Sequence, residues 1–173
     1  MNRIHVCPLP VGALLAHYRD NGAYTDGFCI DLPCHVTLSD FIMAFYTTPL
    51  FRLERLILAT LVGKPSTDAQ ILSLASADAT RFAAWTVEGR EHDQILLCDF
   101  LRYSRSWLMC TPAPEPKATR LYFGSAIVPR KISATGKASF DPGFHLLKGF
   151  HLVYSRALLA QAAAGVRRGR LRS

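Results

Sequence analysis

With 173 residues, half of them hydrophobic and only 19% charged, the chain is long and apolar enough for one domain whose core needs no metal or disulfide staple. The net charge is +7, but Arg167, Arg168, Arg170 and Arg172 of the closing "GVRRGRLRS" supply four of those charges. The body is left with an ordinary +3 and has no basic stripe interleaved with aromatics, which argues against nucleic acid as a partner.

The first extended segment is "AYTDGFCIDLP" at 23–33, where strand alternation puts Tyr24, Asp26, Phe28, Ile30 and Leu32 on one face. Thr37 and Asp40 then have capping-box spacing for a helix running to about Tyr46. Thr48 caps a second helix with Pro49 at its first position, and Gly63 and Pro65 end it. Leu50, Leu53, Leu56, Ile57 and Leu61 recur along it at helical spacing. The oily run 44–63 cannot cross a bilayer, because Arg52, Glu54 and Arg55 would each cost about 2.5–3.5 kcal/mol at its centre. It is expected to form a two-helix lid over the open end of a sheet. Phe45, Leu50, Leu53 and Leu56 would pack the core or line a pocket mouth, with the charged cluster on the solvated side.

Thr67 and Gln70 make a second capping box, for a short third helix. From Arg81 the period changes to two. "RFAAWTVEGR", "QILLCDFLRY", "RSWLMCT" and "ATRLYFGSAIV" read as four strands, and the short connections make neighbours antiparallel. Residues 129–143 read as a mobile loop or hairpin. Asp141 and Pro142 begin a long closing helix with Phe144, Leu147, His151, Tyr154 and Leu158 on one face, ended by Gly165.

This order predicts an α+β fold: a curved antiparallel sheet packed on a long C-terminal helix, a helix-grip arrangement, with two or three helices inserted after the first strand. Residues 1–165 are read as a single domain and 166–173 as a basic tail. The runs "AYTDGFCIDLP", "AFYTTPLFRLERLIL", "RSWLMCTP", "TRLYFGSAIVP" and "GFHLVYSRALL" resemble DUF2867-type bacterial proteins, related to the START-like (SRPBCC, Bet v 1-like) superfamily. The resemblance covers most of residues 23–160. It implies a soluble ligand-binding or small-enzyme scaffold and supplies no catalytic residues, while the helix-grip arrangement itself leads us to expect a cavity between sheet and helix.

Three polar residues fall where the pattern expects apolar ones: Asp26 in the first strand, Asp99 in "QILLCDFLRY" and His151 in the stripe of the last helix. A carboxylate on a buried face must be paired or protonated, and an Asp beside a His makes a general base or proton relay. Each also has an ordinary structural alternative. Asp26 can be a turn residue before Gly27, Asp99 can pair with Arg102, Arg105 or Arg120, and His151 can be a core histidine on a backbone carbonyl. Trp85, Trp107, Tyr122, His151, Tyr154 and Arg156 are the candidate ligand-binding residues.

The five cysteines, Cys7, Cys29, Cys34, Cys98 and Cys110, are an odd number without zinc-site spacing, and no secretory leader is read at the N-terminus. Free thiols, no metal and a cytoplasmic location are expected. "VGKPS" and "TGKAS" lack the second glycine and the Ser/Thr after Lys of a phosphate loop, and no motif implies a cofactor. The leading expectation is a binder of a small hydrophobic molecule. One alternative is a small enzyme using His151 with Asp26 or Asp99. The other is a protein-partner or membrane-surface module that makes weak contact through the Arg-rich tail.

Overall fold

The computed structural model describes residues 3–61, 63, 65–129, 131–132, 138–139 and 144–170, with backbone only for 131–132, 138–139, 144–148, 150 and 170. The elements in chain order are β1 (His5–Val6), α1 (Ala16–Asp20), β2 (Tyr24–Leu32), α2 (Leu38–Tyr46), α3 (Pro49–Leu61), α4 (Asp68–Ala75), β3 (Arg81–Phe82), β4 (Trp85–Arg90), β5 (Gln94–Asp99), β6 (Ser104–Pro112), β7 (Thr119–Ile127), β8 (Lys131–Ile132), β9 (Ala138–Ser139) and α5 (Phe144–Arg170). Among the described residues, seven strands form one sheet in the order β1-β2-β7-β6-β5-β4-β3, with every neighbouring pair antiparallel. The molecule is therefore α+β, with a long C-terminal helix lying across β2 and β7.

The local signals act as their chemistry requires. Thr37 and Asp40 exchange side-chain and backbone hydrogen bonds at the start of α2, and Thr67 and Gln70 do the same for α4. Thr48 Oγ1 accepts from Phe51 N, so α3 starts with Pro49 in its first turn. β2 pairs with β7 along its whole length, from Tyr24 opposite Ile127 to Leu32 opposite Thr119. Asp31 and Arg120 are directly opposed and form a two-pronged ion pair at 2.6 and 2.7 Å, which holds the Asp31 carboxyl below its usual range.

Strand alternation sends side chains to two faces, and both are covered. One face carries Phe28, Ile30, Leu97, Leu108, Leu121 and Phe123 and packs against buried residues of α2, α4 and α5. The other carries Cys29, Leu96, Trp107, Met109, Tyr122 and Ala126 beneath Leu9, Ala13, Leu14 and Leu15 of the N-terminal segment. Gln94 pins that segment. Its Oε1 accepts from Leu14 N and Trp107 Nε1, both at 2.9 Å, and its Nε2 donates to Gly12 O and Glu91 Oε2. A buried amide with both ends satisfied in this way fixes one register for the covering segment.

Several expectations need correction. The sequence reading has neither β1 nor α1, each five residues or fewer and too short for a periodic signal, and the stretch 81–90 read as one strand is a tight hairpin of β3 and β4. Gly165 does not end the last helix, which continues to Arg170. A Cβ at this position would lie 3.6 Å from Ala44 Cβ, so the glycine sits at a close crossing of α5 with α2. Val166 is buried and Arg167 and Arg168 are exposed, so the division at 165/166 falls inside a continuous helix. Residues 131–132 and 138–139 pair with each other and add nothing to the main sheet. The expected caps Asp141 and Pro142 lie outside the described residues, as do the side chains of Phe144 and Leu147.

The lid helix is turned over relative to expectation. Leu53, Leu56, Ile57 and Leu61 are exposed, while Phe51 is buried and Glu54 faces inward with it. Arg52 and Arg55 both bind Asp68, and Arg55 also donates to Ser66 Oγ and Ser66 O. The arginines thus tie α3 to the start of α4, and Glu54 is not on their solvated side.

Candidate functional site

Between the sheet and helices α3 and α5 lies a cavity of about 240 Å³. Phe45, Phe51, Phe123 and Leu158 form its apolar wall, and Glu54, Trp85, Ser106, Ser125, His151 and Tyr154 contribute its polar groups. The sheet register explains the polar row on the floor. Asp26 opposes Ser125, and Ser125 opposes Ser106, so three polar side chains of the same parity lie side by side across β2, β7 and β6.

Asp26 and His151 meet here. Asp26 Oδ1 accepts from Ser125 N at 3.1 Å and from Ser125 Oγ at 2.7 Å. Asp26 Oδ2 lies 3.2 Å from His151 Nε2, and Ser125 Oγ lies 2.6 Å from the same nitrogen. The Asp26 side chain is only 6% exposed and that of His151 28%. Oδ1 of this buried carboxylate takes two hydrogen bonds, while Oδ2 makes none among the described residues and has only the nearby His151 ring to offset its burial.

The proton count follows from these contacts. Ser125 has one hydroxyl hydrogen, and it goes to Asp26. Ser125 Oγ can then only accept from His151, so Nε2 carries a proton directed at Ser125 Oγ, with Ser155 Oγ 3.4 Å from the same nitrogen. Nδ1 is left as the ring atom able to take up another. A serine, a histidine and an aspartate are adjacent, yet this is no acyl-transfer triad. The serine gives its proton to the carboxylate, and both partners sit on one ring nitrogen.

Across the cavity, Tyr154 OH donates to Glu54 Oε2. Burial raises the Glu54 carboxyl above its ordinary 4.5, partly offset by the Tyr154 hydrogen bond and the nearby His151. Burial likewise drives the Tyr154 hydroxyl far up, reinforced by the Glu54 charge. A carboxyl with a raised folded-state value favours the fold fully below its unfolded value, and this advantage is lost as pH rises through the folded value. Glu54→Gln is therefore expected to raise Tm at pH 7–8, with the gain disappearing below about pH 4.5, as thermal melts across pH would record.

Trp85 Nε1 is buried with no partner among the described residues, and its ring lines the cavity. An unpaired buried N–H costs about 1–3 kcal/mol, which an acceptor group brought in by a ligand would recover.

The other anticipated residues go elsewhere. Asp99 does not reach the cavity; its Oδ1 accepts from Ser104 N and closes the β5–β6 turn. Trp107 and Tyr122 point to the opposite face of the sheet, packed on each other with ring centroids 5.9 Å apart. Arg156 stacks its guanidinium over Phe28, 5.2 Å from the ring centroid, and is exposed. Glu54 and Ser125 were not anticipated. The signals were present: Phe51 and Glu54 are three apart on one helix face, and Ser125 lies between Phe123 and Ile127 on an apolar strand face.

A larger open cleft of about 570 Å³ lies beneath the 112–117 turn, beside His35 and His92. His92 lies 3.6 Å from Asp93 there, and no cluster of three metal-ligating side chains occurs among the described residues. Among those residues no helix is long and apolar enough to cross a membrane.

No family model, curated protein or solved structure matches this chain.

Proposed function

We propose that the chain binds a small, mostly apolar molecule in the cavity between the sheet and the C-terminal helix, in the manner of a helix-grip domain of the START-like (SRPBCC, Bet v 1-like) kind, to which DUF2867-type proteins are related. The observation that carries this reading is the pairing of an aromatic wall with the partnerless Trp85 Nε1 at one site. A volume of about 240 Å³ is below the ~300–1,000 Å³ of drug-sized sites, so the ligand is one ring or a short chain and not a full lipid. Phe45, Phe51 and Phe123 would enclose its body. Trp85 would donate to one polar substituent, and Glu54 with Tyr154 would address a second.

A second reading has its own observation, the Asp26–His151 contact at 3.2 Å on the cavity floor. Asp26 would hold the imidazole by its Nε2–H and stabilise the charged ring, leaving Nδ1 to take a proton from the ligand. Glu54, whose carboxyl burial raises above its ordinary value, faces the ligand on the opposite side. That pairing suits a proton shift within one small molecule. The Arg-rich tail supports weak surface contact at most: Arg167 and Arg168 are exposed, and residues 171–173 lie outside the described residues.

The test is native mass spectrometry of freshly purified protein, with an organic extract of the same sample run beside it. A small co-purified molecule, lost from a Ser104→Phe variant that fills the cavity wall, is the expected result. An apo mass, together with no thermal shift across a single-ring library, would remove the binding reading.

A further inference from the structure

On the opposite face of the sheet, at its β1 edge, three groups unrelated to the cavity come together. His5 and Cys29 are paired across the β1–β2 ladder, with His5 Nε2 3.1 Å from Cys29 Sγ. Cys7 lies two residues beyond His5, so strand alternation returns it to the same face. Its backbone N donates to Gly27 O at 3.1 Å, two residues along β2 from Cys29, so the two thiols are diagonal neighbours on that face. Asp31 and Arg120 lie beside them.

We propose that Cys7, Cys29 and His5 form a hydroperoxide-reactive dithiol site whose oxidation yields a disulfide stapling β1 to β2.

The tautomer supports this chemistry. His5 Nδ1 faces Arg3 O at 3.2 Å, so Nδ1 carries a hydrogen and Nε2 is the atom open to a proton from Cys29. Transfer gives a thiolate beside an imidazolium. The neighbouring Cys7 thiol, opposed by burial and helped by His5 and Arg120, pulls the Cys29 thiol down to about 7, while Cys7 itself is pushed far up. One sulfur is thus the nucleophile and its neighbour the protonated resolving thiol.

The Cys29 thiolate attacks one oxygen of the hydroperoxide. The O–O bond breaks, and the leaving oxygen takes the proton held by His5, giving Cys29 sulfenic acid and an alcohol or water. Cys7 sulfur then attacks Cys29 sulfur. The S–O bond breaks, the oxygen leaves as water with the Cys7 proton, and the disulfide forms. The peroxide is reduced by two electrons and the two thiols are oxidised by two. Cys29 itself is fully buried, but it is covered by a two-residue edge strand whose own residues are exposed, and a small peroxide needs only local opening there.

The experiment treats the reduced, full-length protein with hydrogen peroxide, quenches with an alkylating reagent and maps peptides without reduction. Cys34, partly exposed and outside the cluster, is the internal reference. Cys29 should be consumed about tenfold faster than Cys34, with a Cys7–Cys29 cross-linked peptide as product. Cys7→Ser should arrest the reaction at a Cys29 sulfenic acid that a dione reagent captures. His5→Gln, at an exposed position, should slow the first step about tenfold while leaving the melt unchanged. First reaction at Cys34, scrambled pairings, or Cys29 modified only at the rate of global unfolding would each overturn the proposal.

Discussion

Asp26→Ala is expected to lower the unfolding free energy by about 2–4 kcal/mol, measured by urea denaturation at neutral pH. The substitution removes the acceptor for Ser125 N and Ser125 Oγ and the carboxylate 3.2 Å from His151 Nε2, all at a side chain only 6% exposed. The groups left behind cannot reach water easily. Asp26→Asn should cost less, because the amide oxygen still accepts from Ser125 while its nitrogen meets another donor at His151. His151→Gln combined with Asp26→Ala should cost clearly less than the sum of the two single changes, since the groups form one network. Additive costs would mean that the contact contributes nothing.

Gly124→Ala should cost as much or more, about 3 kcal/mol, and should also displace the cavity floor. A Cβ there would lie 2.7 Å from Asp26 O, 2.8 Å from Leu15 Cδ2 and 3.0 Å from Trp107 Cε3. The leucine tip can move. The carbonyl belongs to the β2–β7 ladder, where Gly27 opposes Gly124 and Asp26 opposes Ser125, so relief means separating the central strands. Ser125 follows directly, and its shift would loosen the Asp26–His151 contact. A stable Gly124→Ala protein with an unchanged melt would show that the sheet at this point is more pliant than its register implies.

How far the sequence shows this depends on whether a signal is local. The capping boxes at Thr37 and Thr67 involve four residues each and appear as read. The polar interruption at Asp26 was visible because one acidic side chain stands among Phe28, Ile30 and Leu32, and His151 was visible by the same reasoning on a helix. The register that joins them through Ser125 is a property of two strands about a hundred residues apart, and no local pattern encodes it.

Other differences arise because both faces of the sheet are covered. Trp107 and Tyr122 are expected from the sequence to add hydrogen bonds to a ligand. Their parity sends them to the other face, which the N-terminal segment covers through Gln94. That segment is short and proline-interrupted, so nothing in its periodicity marks it as a second layer. The lid was misoriented for a related reason. Its leucine stripe suggested burial, but the inward positions belong to Phe51 and to Glu54, which Tyr154 answers. Hydrophobic spacing identifies a helix better than it identifies which side of the helix faces in.

The cavity itself can be watched from within. The chain has two tryptophans; Trp85 lines the cavity, and Trp107 is buried on the opposite face. Fluorine NMR of fluorotryptophan-labelled protein, titrated with single-ring phenols, amines and carboxylates, therefore carries its own reference. Binding in the cavity predicts a saturable shift of the Trp85 resonance by at least one class of ring, with Trp107 unmoved and the shift abolished by Ser104→Phe. A Trp85 resonance indifferent to every ring, or one that shifts equally in the filled variant, would contradict a ligand site between the sheet and the C-terminal helix.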